Sequence, residues 1–224
     1  MEPNGHGLRQ ITHLRREATT PDWSPNGHWI AFSLDECTVA IIHPDGTGMR
    51  TVPSQTPGGC ETDPAFTPDG RHLIFERFDP TTDDDAIWIM RLNGERRRRL
   101  GTGPGGAATP EISPDGRTVT FLSDTPDDLT AIFAVHRHGG HVRQVTPTLW
   151  GIAFKHDWAP DGSRLVMSDN ADNTRRPVNV ATIRPDGTGL RYRTEIVAQQ
   201  LRLLGSRTNG TAAPQAEASD ETPF

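Results

Sequence analysis

The chain has 224 residues and a formal charge of −6, with 23 Lys and Arg against 29 Asp and Glu. Hydrophobic residues make up 33 %, while Gly and Pro number 22 and 19. This composition suits one large all-β domain or two small ones. It excludes a helical bundle, general attraction to nucleic acid and a span of ~20 apolar residues across a membrane.

The first residues, "MEPNGHGLRQITH", contain no apolar h-region, so no signal peptide is expected and the expected location is cytoplasmic, unless the chain was cut from a longer exported one. "GLRQITH" at 7–13 reads as the outer strand of a four-stranded unit, yet no partner strands precede it. The two cysteines, Cys37 and Cys60, are able to pair, but two thiols make no disulfide framework. Free thiols in a reducing compartment are therefore expected.

From Asp22 onward one phrase recurs. "DWSPNGHWIAFS" at 22–33 is followed by "AFTPDGRHLIFE" at 65–76, "EISPDGRTVTFL" at 111–122 and "DWAPDGSRLVMS" at 157–168. Trp23, Phe66, Ile112 and Trp158 form one column, at intervals of 43, 46 and 46 residues. Such a period points to propeller blades or helical arrays, and the local pattern decides between them. After each Asn-Gly or Asp-Gly comes a run of period two: Ile30 and Phe32, Leu73 and Phe75, Val119 and Phe121, Leu165 and Met167. The alternate residues are also mostly apolar, which predicts strands buried on both faces. Asn-Gly and Asp-Gly tolerate positive φ and mark tight hairpins.

A second hairpin follows in each unit: "VAIIHPDGTGMRTV" from Val39, "IWIMRLNGERRRRL" from Ile87, "FAVHRHGGHVRQV" from Phe133 and "VATIRPDGTGLRYR" from Val180. Each unit is thus four antiparallel strands, A to D, and each buries its faces only against its neighbours. The predicted fold is an all-β propeller of four complete blades plus an orphan N-terminal strand. Its domain runs over 1–197, with units near 14–55, 56–101, 102–147 and 148–197. A short cap ("AQQLRLLG") and a disordered tail are expected over 198–224. The Trp column is expected to pack between blades. The run Arg96 to Arg99 reads as a solvated edge strand.

The phrase "WSPDG…(I/L)xF" followed by "PDGTGLRxxT" resembles the TolB-type, WD-repeat-like β-propeller family over residues 7 to about 193. The resemblance implies a propeller, commonly six-bladed, that binds proteins or ligands and does not catalyse. Related blades also form gating domains of some serine peptidases and one class of sugar-acid lyases. This chain departs from that pattern in having four units and no export signal. An N-terminal outer strand commonly completes the last blade of a ring, but the fourth unit here carries its own. A shortened chain, a small closed ring and mutual completion by two chains all fit, and self-association is expected from uncovered blade faces.

Blade geometry puts the A–B and C–D hairpins on one face and the B–C loops and D-to-A connections on the other. Three B–C loops are acidic: "DPTTDDD" from Asp79, "DTPDD" from Asp124 and "DNADN" from Asp169, with Asp35 and Glu36 in a shorter first link. Asp83, Asp84, Asp85, Asp127, Asp128 and Asp172 are candidates for a cationic partner or a weak calcium site. The plainer reading, preferred here, is that Asp and Asn form turns. No loop has EF-hand spacing. Strand A leads to the central channel. Two residues before the aromatic column stand Pro21, Pro64, Pro110 and His156, and one step earlier Thr20, Asp63, Thr109 and Lys155. Asp63, Lys155 and His156 are the polar exceptions and the candidate ligand contacts, with solvated mouth residues as the plainer alternative.

No Gly-x-Ser-x-Gly, P-loop, Rossmann fingerprint or Cys-x-x-Cys is present, so no catalytic residues are assigned. His136, His138 and His141 lie on the third C–D hairpin, where two ligands would converge without a third, so no metal site is assigned. The expected function is a non-enzymatic binding module without a cofactor, engaging a protein, peptide or small ligand. A metal-dependent lyase or hydrolase using the channel, and a truncated propeller without independent function, are the alternatives.

Overall fold

In the computed structural model the described residues are 6–35, 37–52, 54–55, 57–147, 152–169 and 179–193. The expected cap and tail over 198–224 lie outside them. Four sheets of four antiparallel strands follow the chain. Blade 1 holds β1 (Ala18–Trp23), β2 (Ile30–Leu34), β3 (Thr38–Ile42) and β4 (Arg50–Val52). Blade 2 holds β5 (Cys60–Phe66), β6 (His72–Asp79), β7 (Asp84–Arg91) and β8 (Arg98–Gly101). Blade 3 holds β9 (Gly105–Ile112), β10 (Thr118–Asp124), β11 (Thr130–His136) and β12 (Arg143–Gln144). Blade 4 holds β13 (Ile152–Trp158), β14 (Leu165–Asp169), β15 (Asn179–Ile183) and β16 (Arg191–Arg193). Among the described residues no helix is long and apolar enough to cross a membrane.

The repeated phrase builds the A–B turn from its own side chains. Ser24 Oγ bonds Asn26 Oδ1 and accepts the Trp29 amide, both at 2.8 Å. Thr67 and Ser113 make the corresponding bond to a carboxylate, that of Asp69 or Asp115, at 2.6 Å. Ala159 leaves blade 4 without the hydroxyl, and Asp161 Oδ1 still accepts the Ser163 amide at 2.9 Å. The turns also stack from blade to blade. A side chain on Gly70 would meet Pro25 Cδ at 3.7 Å, and one on Gly116 or Gly162 would meet Pro68 or Pro114 at 3.6 or 3.7 Å. Proline of one turn lies on glycine of the next, which fits the recurrence of Pro-Asp-Gly.

Strands β2 and β10 are buried on both faces, as their continuous apolar runs predict. One apolar cluster joins blades 1 and 2 around Phe66 and Phe75. A second joins blades 2 and 3 around Ile74 and Phe121, and a third joins blades 3 and 4 around Leu122 and Trp158. Among the described residues no such cluster joins blade 4 to blade 1. Each A strand of the first three blades carries a bulge. Pairing steps over Thr20-Pro21, Asp63-Pro64 and Thr109-Pro110, and the first residue of each pair has φ near +45° (47°, 47° and 45°). Proline has no N–H to give the ladder, so the strand leaves register there and turns its residues toward the axis.

Two expectations are overturned. Cys37 and Cys60 form a disulfide, with Cα atoms 4.3 Å apart. The link from Leu34 to Thr38 is so short that Cys37 lies beside the start of β5, where its carbonyl accepts the Glu61 amide at 3.3 Å. The bond ties blade 1 to blade 2. The arginine run is not a uniformly solvated edge either. Arg96 is exposed, but the Arg97 side chain is 4 % exposed and pairs with buried Glu61. Arg98 donates to the Arg137 carbonyl at 2.8 Å, and Arg99 grips Asp84 with two bonds of 3.0 and 2.8 Å.

Candidate functional site

The four A strands surround, at their middle residues, a cavity of about 230 Å³. Thr20, Asp63, Thr109 and Lys155 line it, joined by Asp22 and Glu111. The bulges turn the first three toward the axis, so the repeat itself brings one residue per blade to this place.

Asp22 Oδ2 accepts the Phe66 amide of the next blade at 2.7 Å. Burial raises its pKa against the pull of that bond and of Lys155. Glu111 is pushed up to about 8, first by burial and then by Asp157, Asp22 and Asp63, with Lys155 opposing. Lys155 Nζ stands 3.8 Å from Glu111 Oε1. Glu76, on β6 and outside the cavity lining, is also raised to about 8 by burial, with Asp85 and Asp63 adding and a backbone bond to Thr109 opposing. Glu111 and Glu76 hold protons at neutral pH, because their charged form is both desolvated and repelled. The cavity therefore changes charge near pH 8.

His156 stands apart from this group. It is 1 % exposed, and its Nε2 bonds Thr120 Oγ1 of blade 3 at 2.9 Å. Burial, with Lys155 assisting, drives its pKa down to about 3, so the ring is neutral. The other blades place proline here, and Pro21, Pro64 and Pro110 line the cavity, whereas the His156 ring turns away from it into the contact with blade 3. Asp63 and Lys155 are brought together at the mouth, and His156 is not. Asp22, Glu76 and Glu111 were missed. A signal for two of them was present: the position before the aromatic column reads Asp22, Ala65, Glu111 and Asp157, acidic in three of four units.

A family model described as TolB beta propeller domain matches residues 1–200. The chain belongs to this family. Over 188 residues it is 25 % identical to the Protein TolB homolog of Chlorobium luteolum, a match covering 83 % of this chain and 41 % of the homolog. Over 111 residues it is 29 % identical to the uncharacterized peptidase YuxL of Bacillus subtilis, covering 48 % of this chain and 17 % of that protein. The crystal structure of TolB from Acinetobacter baumannii superposes with a TM-score of 0.69 at 18 % identity, covering 85 % of this chain and 46 % of that one. The chain thus spans less than half the length of these relatives.

In this TolB-type propeller the acidic loops are partly committed to structure. Asp83 and Asp128 are exposed with φ of 56°, in turns. Asp84 is held by Arg99. Asp85 is half-buried, and burial followed by Asp84 raises its pKa. Asp127 is exposed, and Asp172 lies outside the described residues. His136 and His138 have ring centroids 5.2 Å apart, and His136 Nδ1 accepts the His138 amide at 3.3 Å. Arg137 and Arg98 stand close enough to lower the His138 pKa, after desolvation and His136. Two guanidinium groups beside the pair oppose a cation. Among the described residues no cluster of three or more His, Cys, Asp or Glu is arranged to hold a metal.

Proposed function

We propose that the protein is a non-enzymatic binding module whose channel mouth receives a cationic group of a protein or peptide partner. The observation that carries this reading is the cavity itself, where Asp22, Asp63 and Glu111 face one ammonium, that of Lys155. An arriving guanidinium or amine displaces Lys155 from Glu111 and draws the proton off that carboxyl, so binding adds a charge-assisted bond where water is partly excluded. Exposed Asp83, Asp127 and Asp128 belong to the B–C loops and extend the negative field that steers a cation. A relative named Tol-Pal system protein TolB, from Nitratidesulfovibrio vulgaris, is 27 % identical over 124 residues, covering 55 % of this chain and 27 % of that protein. Its name places that protein in a multi-protein system, which favours a protein partner here.

Isothermal titration with a lysine- and arginine-rich peptide, against an acidic peptide of equal length, tests the reading. The basic peptide should bind, persist in EDTA and weaken with salt. Asp63→Asn should weaken it about tenfold, the loss of one charge pair. Equal binding of both peptides, or an unchanged affinity in the variant, would overturn the proposal.

A further inference from the structure

One contact recurs at three seats of the outer strand. Arg98 Nη2 donates to the Arg137 carbonyl at 2.8 Å, Arg143 Nη2 to Pro185 at 2.7 Å and Arg9 Nη2 to Pro44 at 2.6 Å. In the first two cases an outer-strand arginine holds the C–D turn of the following blade. The third repeats this with a residue that precedes blade 1. Gln10 also copies Gln144, each giving its side-chain amide to the carbonyl two residues on, Thr12 and Thr146, at 2.7 Å. A side chain on Gly46 would meet Ile11 O at 3.0 Å, as one on Gly187 would meet Val145 O at 2.7 Å. Residues 7–12 therefore occupy the seat of an outer strand in a blade before blade 1. Among the described residues no strand pairs with them.

The same side of blade 1 lacks cover. Trp23 is 55 % exposed, while Trp158 at the matching position is buried. Leu8 is 82 % exposed, while its counterparts Val142 and Leu190 pack against blade clusters.

Blade 4 carries the matching surface. Blade 1 offers Asp22 and Ser33 to blade 2. Asp22 Oδ2 takes the Phe66 amide at 2.7 Å, and Ser33 Oγ takes the Asp63 amide at 2.9 Å. Blade 4 has Asp157 and Ser168 at these two positions, beside Val166 and Val180, in an open pocket of about 200 Å³. Val180 is 47 % exposed. On the receiving side, Thr20 of β1 shares its φ of 47° with Asp63 of β5, so both strands present their amides alike.

The outer strand decides how the surfaces meet. "GLRQIT" at 7–12 and "GLRYRT" at 189–194 agree at four of six residues. Val39 pairs with Val52 across β3 and β4, and Val145 donates its amide to the Ile132 carbonyl at 2.8 Å. At the equivalent place in blade 4, Val180 pairs with Arg193. Ile11 is the residue of 7–12 that falls at this register, and it would restore an apolar pair. A blade seated before blade 1 has room for one outer strand, and residues 7–12 already hold that place.

We propose that the chain associates head to tail with a second copy: the open face of blade 4 in one copy packs on blade 1 of the other, whose residues 7–12 pair with β15 in place of β16. Trp23 then donates its amide to the partner copy's equivalent of Asp157, and Thr20 to that of Ser168. When both ends of two copies engage, the dimer closes. This inference is independent of what the channel binds.

Size-exclusion chromatography with light scattering on the full chain should give at least twice 24.6 kDa. Trp23→Asp and Val180→Asp change exposed side chains, so each variant should keep its circular dichroism spectrum and run as a monomer. Mixed, the two have one intact junction and should recover a dimer and nothing larger. Ile11→Cys mixed with Val180→Cys should yield a disulfide-linked pair that neither forms alone, a readout that survives if the aspartate variants unfold. A wild-type chain that stays at 24.6 kDa at high micromolar concentration, or a cysteine mixture that does not cross-link, would overturn the proposal.

Discussion

Trp158 donates its indole N–H to Thr120 Oγ1 at 3.0 Å, across the boundary between blades 3 and 4. The same hydroxyl bonds His156 Nε2 at 2.9 Å, so one buried oxygen serves two aromatic side chains of the next blade. Thr120→Val keeps the shape and removes both partners. Leaving an indole N–H and an imidazole nitrogen unpaired in the interior should cost about 2 kcal/mol. Urea denaturation measures it, and Thr120→Ser should recover most of the loss. Equal midpoints for Val and wild type would show that the hydroxyl contributes little.

The disulfide should account for a distinct share of stability. Cys37 and Cys60 are 23 residues apart in sequence, a loop whose closure in the unfolded chain is worth about 3 kcal/mol in the chain-entropy model. For a chain of this size that is about 6–12 °C in Tm. Replacing both cysteines by serine should lower the calorimetric midpoint by this amount, and reductant should lower wild type while leaving the variant unchanged. Two titratable thiols in unreduced, unfolded protein would refute the bond.

Stability should peak in mildly acidic solution. Glu76 and Glu111, held near 8 in the folded state against an ordinary 4.5, keep protons that the unfolded chain releases. Their contribution is full below about 4.5 and is lost as pH rises through about 8. His156, held near 3 against 6.5, works in the other direction: its contribution fades as pH falls from 6.5 toward 3. The urea midpoint should therefore decline from pH 5.5 to pH 8.5 and also below pH 4. Changing Glu76 and Glu111 together to Gln should flatten the alkaline decline. A wild-type midpoint constant between pH 5.5 and 8.5 would contradict the assigned burial.

Much of the architecture was legible because the repeat is local. The Pro-Asp/Asn-Gly turn, preceded by Ser or Thr in three copies and by Ala in the fourth, closes with bonds between residues two to five apart, so its four copies announce four hairpins without knowledge of the rest. The run Ile30 to Leu34 is apolar at every position but Ser33, and a strand between two others in a stacked blade is buried on both sides. Asp63 and Lys155 were reachable for the same reason, since they occupy one register position before the aromatic column.

The rest depends on contacts between residues 23 to 44 positions apart, most of them between blades. Position alone could not show that His156 fills a place where other blades put proline, facing Thr120 and not the channel. The carboxyls of Glu76 and Glu111 titrate high only because stacked blades exclude water around them. The thiols of Cys37 and Cys60 meet because a short link in blade 1 ends where β5 begins, and Arg97 leaves solvent because Glu61 waits buried inside its own blade. Periodicity and turn chemistry specify each sheet by itself. The stacking of one sheet on the next decides which polar groups lose water, and with it their charge, their partners and their use.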